Sequence, residues 1–238
     1  MRKPFICDVD GCLVPPRGHK WDFRSLAVLA DRIGEREFTF TLCSGRPATF
    51  MEALARQLTI TSPLICENGS LLFDPLTKRG MLHPNIPPEF MKERPHIRRT
   101  IEELIAGTDA LIELGKDVMF SVNSTNPGQF GDLMPKLKDA LLGAPVEIQF
   151  SGRSIEVIPQ GVTKAQGLAF WAETTGAAVT DTVSIGDADN DLEILKAAGH
   201  AAAPANCTPN VQSIAEYVSP YSMVEGVLDI ITNYLARS

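Results

Sequence analysis

Asp8-Val9-Asp10-Gly11 places two carboxylates two residues apart at the end of the apolar run Pro4-Phe5-Ile6-Cys7. A strand sends alternate side chains to the same face, so continued β geometry would aim Asp8 and Asp10 the same way. Gly11 lets the chain turn sharply without steric cost. Like charges this close repel, and a fold keeps them together only by supplying a divalent cation, a proton or a lysine. A carboxylate pair at the mouth of a strand therefore reads as a metal and phosphoryl-transfer site.

Three further polar clusters suit the same chemistry. They are Ser44-Gly45-Arg46, Lys164, and Gly186-Asp187-Ala188-Asp189-Asn190-Asp191. A carboxylate can attack phosphorus and hold an acyl phosphate. It needs a metal to cancel the charge of an incoming dianion, and Mg²⁺ takes few carboxylates plus phosphate oxygens and water. Ser44 can donate to a phosphate oxygen, helped by the Gly45 amide and the positive end of the following helix. Lys164 supplies a point charge between nucleophile and phosphate. Asp187 can complete a metal shell, and Asn190 and Asp191 can orient it from outside, with Asp191 also counted among the metal residues and Asn190 among the phosphate-binding ones.

Taken singly, each cluster has an ordinary structural reading. Acidic turns are common, an SGR tripeptide is a common turn, and a lysine at a helix start is usually solvated. The Asp-rich loop lacks the Glu that an EF-hand carries at its twelfth position. The order of the four, each after a strand, favours a shared site.

The elements that must position these residues alternate from the start. Phe5–Val9 reads as a strand. Asp22–Ile33 reads as a helix, with Leu26, Leu29, Ala30 and Ile33 at helical spacing. Phe38–Cys43 is a second strand, a helix runs from Pro47 to about Leu58, and Leu64–Cys66 is a third strand. This predicts an α/β fold with a doubly wound, mostly parallel sheet. Pro84, Pro87, Pro88 and Pro95 then mark a change of composition. A helix at Ile97–Ile105, a strand at Val118–Val122, a helix at Phe130–Leu142 and a hairpin of Val146–Phe150 with Ser154–Ile158 predict a small α+β insert over 84–158. The core is then 1–83 with 159–238. Within the core, Thr163-Lys164-Ala165-Gln166 has the capping-box pattern and opens a helix to about Thr174. A strand at Val183–Gly186, a helix at Asp191–Ala198, a strand at Ala201–Ala203 and a helix at Val227–Leu235 complete it.

Bulk properties narrow the partners. The 238 residues are 44% hydrophobic and 21% charged, ordinary for a soluble globular chain. A net charge of -7 without a basic block excludes the footprint needed for nucleic acid. No apolar run reaches the roughly 20 residues of a membrane span, and no signal-peptide pattern precedes the first strand. Five cysteines without a CxxC pair fit a reduced cytoplasmic setting, with Cys7, Cys43 and Cys66 as core residues.

The four motifs, in this order, resemble those of the haloacid dehalogenase superfamily. The insert between the second and third is similar to the Cof-type branch, subfamily IIB with a C2B cap. Cys66-Glu67-Asn68-Gly69 resembles that branch's NG strand end, and Asn206–Gly226 its C-terminal block. The resemblance implies a Mg²⁺-dependent phosphatase acting on a small phosphorylated metabolite, either a sugar phosphate or a hydroxy-acid phosphate such as phosphoglycolate, with the sugar phosphate leading. It implies that Asp8 is the nucleophile and forms an aspartyl-phosphate, and that Asp10 is the general acid and base. Mg²⁺ would be held by Asp8, the Asp10 carbonyl and Asp187. Ser44 and Lys164 would bind phosphate, with Arg46 and Asn68 toward the substrate. The family's usual Thr after the first-motif Gly is Cys12 here. The rival readings are a phosphomutase of the same superfamily and a catalytically silent binding module, as a monomer or homodimer. In the insert Arg153 and Asn123 to Asn126, and at its border His83, are candidates for reading substrate. Near the first motif Arg17, His19 and Trp21 form a candidate flap, with Trp21 as a packing residue.

Overall fold

The N-terminal apolar run forms β1 (Pro4–Cys7), every residue of it buried. It is followed by α1 (Phe23–Gly34), β2 (Thr39–Leu42), α2 (Ala48–Gln57) and β3 (Leu64–Cys66), the predicted βαβαβ rhythm. A 3₁₀ turn at Glu67–Gly69 leads to β4 (Leu71–Asp74) and β5 (Arg79–Leu82). Next come α3 (Pro88–Ile105), β6 (Leu111–Ile112), β7 (Phe120–Asn123), α4 (Phe130–Ala140), β8 (Val146–Phe150) and β9 (Ser154–Pro159). The chain closes with α5 (Lys164–Thr175), β10 (Val183–Ile185), α6 (Leu192–Ala197), β11 (His200–Ala203), α7 (Pro209–Ile214), β12 (Tyr217–Val218) and α8 (Met223–Ala236). This computed structural model describes residues 2–16 and 18–236. Among them, no helix is long and apolar enough to cross a membrane.

The chain divides into two compact units, Met1–Met81 with Thr163–Ser238, and Leu82–Val162. The first is built on a parallel sheet of order β12-β11-β10-β1-β2. Phe5 pairs with Val183 and Cys7 with Ile185 on one side of β1, and Cys7 pairs with Leu42 on the other. Helices cover both faces. Phe5 and Cys7 pack with Leu29 of α1, Met51 of α2 and Val227 and Ile230 of α8. Ile6, pointing the other way, packs with Leu168 and Trp171 of α5 and Ile194 of α6. The connections leave β1 and β10 in opposite directions, toward β2 and toward β11. That reversal makes the crevice outside their carboxyl ends the place for a ligand.

Local signals explain most boundaries. The Asp22 side chain accepts from the Ser25 amide at 3.0 Å and caps α1, while Gly176, at φ 71, ends α5. Thr163 makes no side-chain cap, so the predicted capping box at the start of α5 does not form.

In the second unit α3 and α4 pack on one face of a sheet of order β6-β7-β9-β8. The helix expected from Ile97 begins at Pro88 and carries Pro95 inside it. Proline removes one intrahelical donor there. The buried stripe Phe90, Ile97, Ile101 and Ile105 holds the helix together, and Arg94 ties it down through the carbonyls of Lys116 and Val118 at 2.8 and 2.7 Å.

A close approach in the first unit joins the 3₁₀ turn to α5. A Cβ on Gly69 would lie 2.3 Å from the Thr163 carbonyl oxygen, and one on Gly167 would lie 2.5 Å from the Gly69 Cα. Gly69 also has φ +93. The turn and the helix start can meet this closely only without side chains. Gly167→Ala is therefore expected to lower stability by about 1–3 kcal/mol, the usual cost of overpacking. Urea unfolding measures it, and an unchanged midpoint would contradict the packing described.

Candidate active site

Asp8 follows β1 directly, and its amide donates to the Ile185 carbonyl of β10 at 2.8 Å. The chain then leaves the sheet. The Leu13 and Val14 amides both reach back to the Val9 carbonyl at 2.9 and 2.8 Å, and Gly11 takes φ +95. The strand thus ends at Cys7, not at Val9 as expected. The two carboxylates consequently do not share one environment, and each meets its own cation.

Asp8 meets Lys164, the first residue of α5. The Lys164 Nζ donates to Asp8 Oδ1 and to Asp191 Oδ1, both at 2.6 Å, and all three side chains are buried. Asp191 is held in turn by the Asp187 and Ala188 amides, which donate to its Oδ2 at 3.2 Å each. Burial pulls the Lys164 ammonium down, but Asp191 and Asp8 outweigh it and keep it charged, above the ordinary lysine value. Burial first, and then the Asp191 charge, push Asp8 well above the usual carboxylate range despite Lys164. One ammonium is serving two carboxylates.

Asp10 meets Arg46. The guanidinium grips it bidentately, Nε to Oδ2 at 2.8 Å and Nη2 to Oδ1 at 2.7 Å. This pair is partly open to solvent, with 26% of the Asp10 side chain exposed against 8% for Asp8. Arg46 also lies over the Phe50 ring, 4.8 Å from its centroid. It is thereby fixed on Asp10, whereas the family resemblance places it toward the substrate.

The second motif is held by backbone. The Ser44 amide donates to Ile65 at 2.9 Å, Asn68 to the Ser44 carbonyl at 3.1 Å, and Glu67 to the Arg46 carbonyl at 3.2 Å. Glu67 and Asn68 adopt φ 50 and 54, uncommon for side-chain-bearing residues. The Arg46 amide meets the Ser44 Oγ at 3.3 Å, which leaves the hydroxyl proton for another acceptor. Ser44 and Asn68 are both buried.

Asp187 comes from the loop after β10. A Cβ on Gly11 would lie 2.1 Å from its Oδ2, so glycine is what admits this carboxylate against the Asp10–Gly11 turn. Oxygen or sulfur atoms of Asp8, Cys12 and Asp187 all lie within 4.8 Å of one another. The Cys12 Sγ stands 3.9 Å from Asp187 Oδ1. Its hydrogen bond with Cys7, and then burial, raise this thiol well above the ordinary cysteine value.

The donor set fits a divalent cation. Lys164 is shared between Asp8 and Asp191, Arg46 holds Asp10, and ligand atoms of Asp8, Cys12 and Asp187 gather in one compact set. Asp8 and Asp187 would hold such an ion, since a ligand oxygen of each lies within 4.8 Å of the other. Asp191, grouped with the metal residues from sequence, has its carboxylate on Lys164 and the loop amides and works by holding them.

Other candidates fall elsewhere. Asn190 is exposed and bonds to no member of the cluster among the described residues. Asp189 accepts from the side chains of Thr208 and Asn210 at the start of α7. His19 is exposed, Trp21 packs against the core and stacks on Phe23 at 6.0 Å, and Arg17 lies outside the described residues. In the second unit Arg153 is exposed, His83 is buried and accepts from the Asn85 amide, and Ser124 to Asn126 fold onto Asp109. Cys7, Cys43 and Cys66 are buried core residues.

Asn206 was missed. Its Nδ2 donates to the Gly11 carbonyl at 2.9 Å and lies 3.4 Å from Asp187 Oδ2, while its Oδ1 accepts from the Met223 amide. Its signal was positional, a polar residue just beyond the next parallel strand, β11.

A family model of haloacid dehalogenase-like hydrolases matches residues 5–103 and 109–231. A phosphoglycolate phosphatase of Methanopyrus kandleri is 42% identical over 97% of this chain and 96% of its own length. A phosphoglycolate phosphatase of Methanococcoides burtonii is 27% identical over 99% and 97%. The crystal structure of a haloacid dehalogenase-like hydrolase from Bacteroides thetaiotaomicron superposes with a TM-score of 0.79, covering 98% of this chain and all of that one, at 21% identity.

Lys164→Met should destabilise the protein by about 3–5 kcal/mol, because it strands two buried carboxylates. A melting curve close to wild type would refute the charge arrangement. Mg²⁺ should raise the melting temperature of the wild type and not that of Asp187→Asn, and an equal rise in both would remove Asp187 from the cation site.

Proposed function

The chain belongs to the haloacid dehalogenase-like hydrolases, and from that premise we propose that it is a Mg²⁺-dependent phosphatase working through an aspartyl-phosphate on Asp8. Its substrate is a small phosphorylated hydroxy acid of the phosphoglycolate kind, ahead of the sugar phosphates that the motifs alone favoured. The names of the relatives at 42% and 27% identity support that order.

One observation carries the mechanism. Asp8 and Asp10 lie two residues apart yet sit in opposite settings, one buried on a shared ammonium and one half-open on a guanidinium. Two carboxylates in different environments take different roles. An Asp8 oxygen attacks phosphorus, and the bond from phosphorus to the leaving oxygen breaks. Asp10, carrying a proton once substrate is bound, gives it to that oxygen, and Arg46 stabilises the carboxylate left behind. Asp10 then takes a proton from the water that attacks phosphorus, and the bond to Asp8 breaks to free inorganic phosphate. Lys164 and the Ser44 hydroxyl bind phosphate oxygens, and Lys164 holds Asp8 in line. A cation held by Asp8, the Asp10 carbonyl and Asp187 would supply positive charge toward the phosphoryl dianion.

The assay is Mg²⁺-dependent phosphate release from phosphoglycolate and from a panel of sugar phosphates. Asp8→Asn should release none, and Asp10→Asn should slow kcat by about 10²–10⁴-fold. Release by Asp8→Asn at the wild-type rate would end the nucleophile assignment. A sugar phosphate with the higher kcat/KM would overturn the substrate class, and phosphoryl transfer to a second sugar without free phosphate would make the protein a mutase.

A further inference from the structure

Cys12 touches the cation cluster yet has no part in the reaction steps. Its side chain is fully buried and its Sγ belongs to the same compact set as the oxygens of Asp8 and Asp187. The backbone around it is fixed. Gly11 is pinned by its amide to the Val14 carbonyl at 2.8 Å and by its carbonyl to Asn206, and the Leu13 amide is pinned to Val9. The sulfur is therefore presented to the cluster by a turn that has little freedom to withdraw it.

The chemistry of that atom differs from its neighbours. Carboxylate oxygens are hard donors and suit Mg²⁺. Sulfur is soft and polarizable, and it favours borderline and soft ions such as Co²⁺, Zn²⁺ and Cd²⁺. A hydroxyl at this position, as the first-motif pattern usually has, would give an all-oxygen set. We propose that Cys12 is a metal ligand for thiophilic divalent ions, so that this phosphatase site is a mixed oxygen and sulfur site. The sulfur–metal bond forms as the thiol proton passes to solvent, and no electron is transferred. The inference rests on Asp8 and Asp187 forming the cation site.

Titrating the full-length apoprotein with Co²⁺ tests it. The wild type should show the near-ultraviolet absorption of sulfur-to-cobalt charge transfer. Cys12→Ser and Cys12→Thr should lose that band while still binding Co²⁺ by calorimetry, and Cys207→Ser should keep it. The preference for Zn²⁺ over Mg²⁺ should fall by about tenfold or more in Cys12→Ser, as loss of a metal-tuning group does. Co²⁺ binding by the wild type without the band, or a band that survives in Cys12→Ser, overturns the sulfur ligand and leaves the cation site standing. Undiminished binding of Mg²⁺ and Co²⁺ by Asp187→Asn overturns the cation site, and the sulfur ligand with it.

Discussion

The Lys164 ammonium, shared between the buried carboxylates of Asp8 and Asp191, is the interaction on which the rest of the site depends. Ions removed from water cost several kcal/mol each unless they are paired and hydrogen-bonded. The fold meets that demand from three directions. The β1 end delivers Asp8, the loop after β10 delivers Asp191 with two amides on its far oxygen, and the first turn of α5 delivers Lys164. The contact of Gly69 with Gly167 sets how near α5 can stand to the turn that carries Asn68, and so where the ammonium lies.

The same cluster holds a second group of donors. Asp187 brings its carboxylate beside Asp8, a set that a divalent ion would suit. Asp10 is held apart from Lys164 by its guanidinium partner. The neighbouring residues of one short motif thus acquire distinct duties from the elements that reach them, β2 and α2 through Arg46 and α5 through Lys164.

Much of this was legible in the sequence because strands and short motifs are local. The alternation of β1, β2, β10 and β11 with helices placed four polar clusters at one end of a parallel sheet, and all four are in the first unit. What was not legible depended on turns and distant pairing. The direction of Asp10 is decided by the positive φ of Gly11 and by Arg46, 36 residues on, against a strand geometry that would have sent it beside Asp8. Asp191 reads from sequence both as a metal residue and as one that orients the metal shell, and its bonds to Lys164 and to the loop amides come from pairing that the sequence does not display. Asn206 opens the stretch that resembles the family's C-terminal block, but its bond to the Gly11 carbonyl, 195 residues away in the chain, is visible only in the fold. The start of α3 was hidden by Pro95, a residue that breaks helices in general and is outweighed here by a buried apolar stripe.

On the proposed mechanism Asp8 carries the phosphoryl group during turnover. Acid quenching during turnover, followed by peptide mass spectrometry, reads that group out. One phosphoryl adduct is expected, on the peptide holding Asp8 and localised to that residue, with a larger amount in Asp10→Asn, where breakdown is slowed. Steady turnover with an unmodified Asp8, or an adduct on another residue, would contradict it.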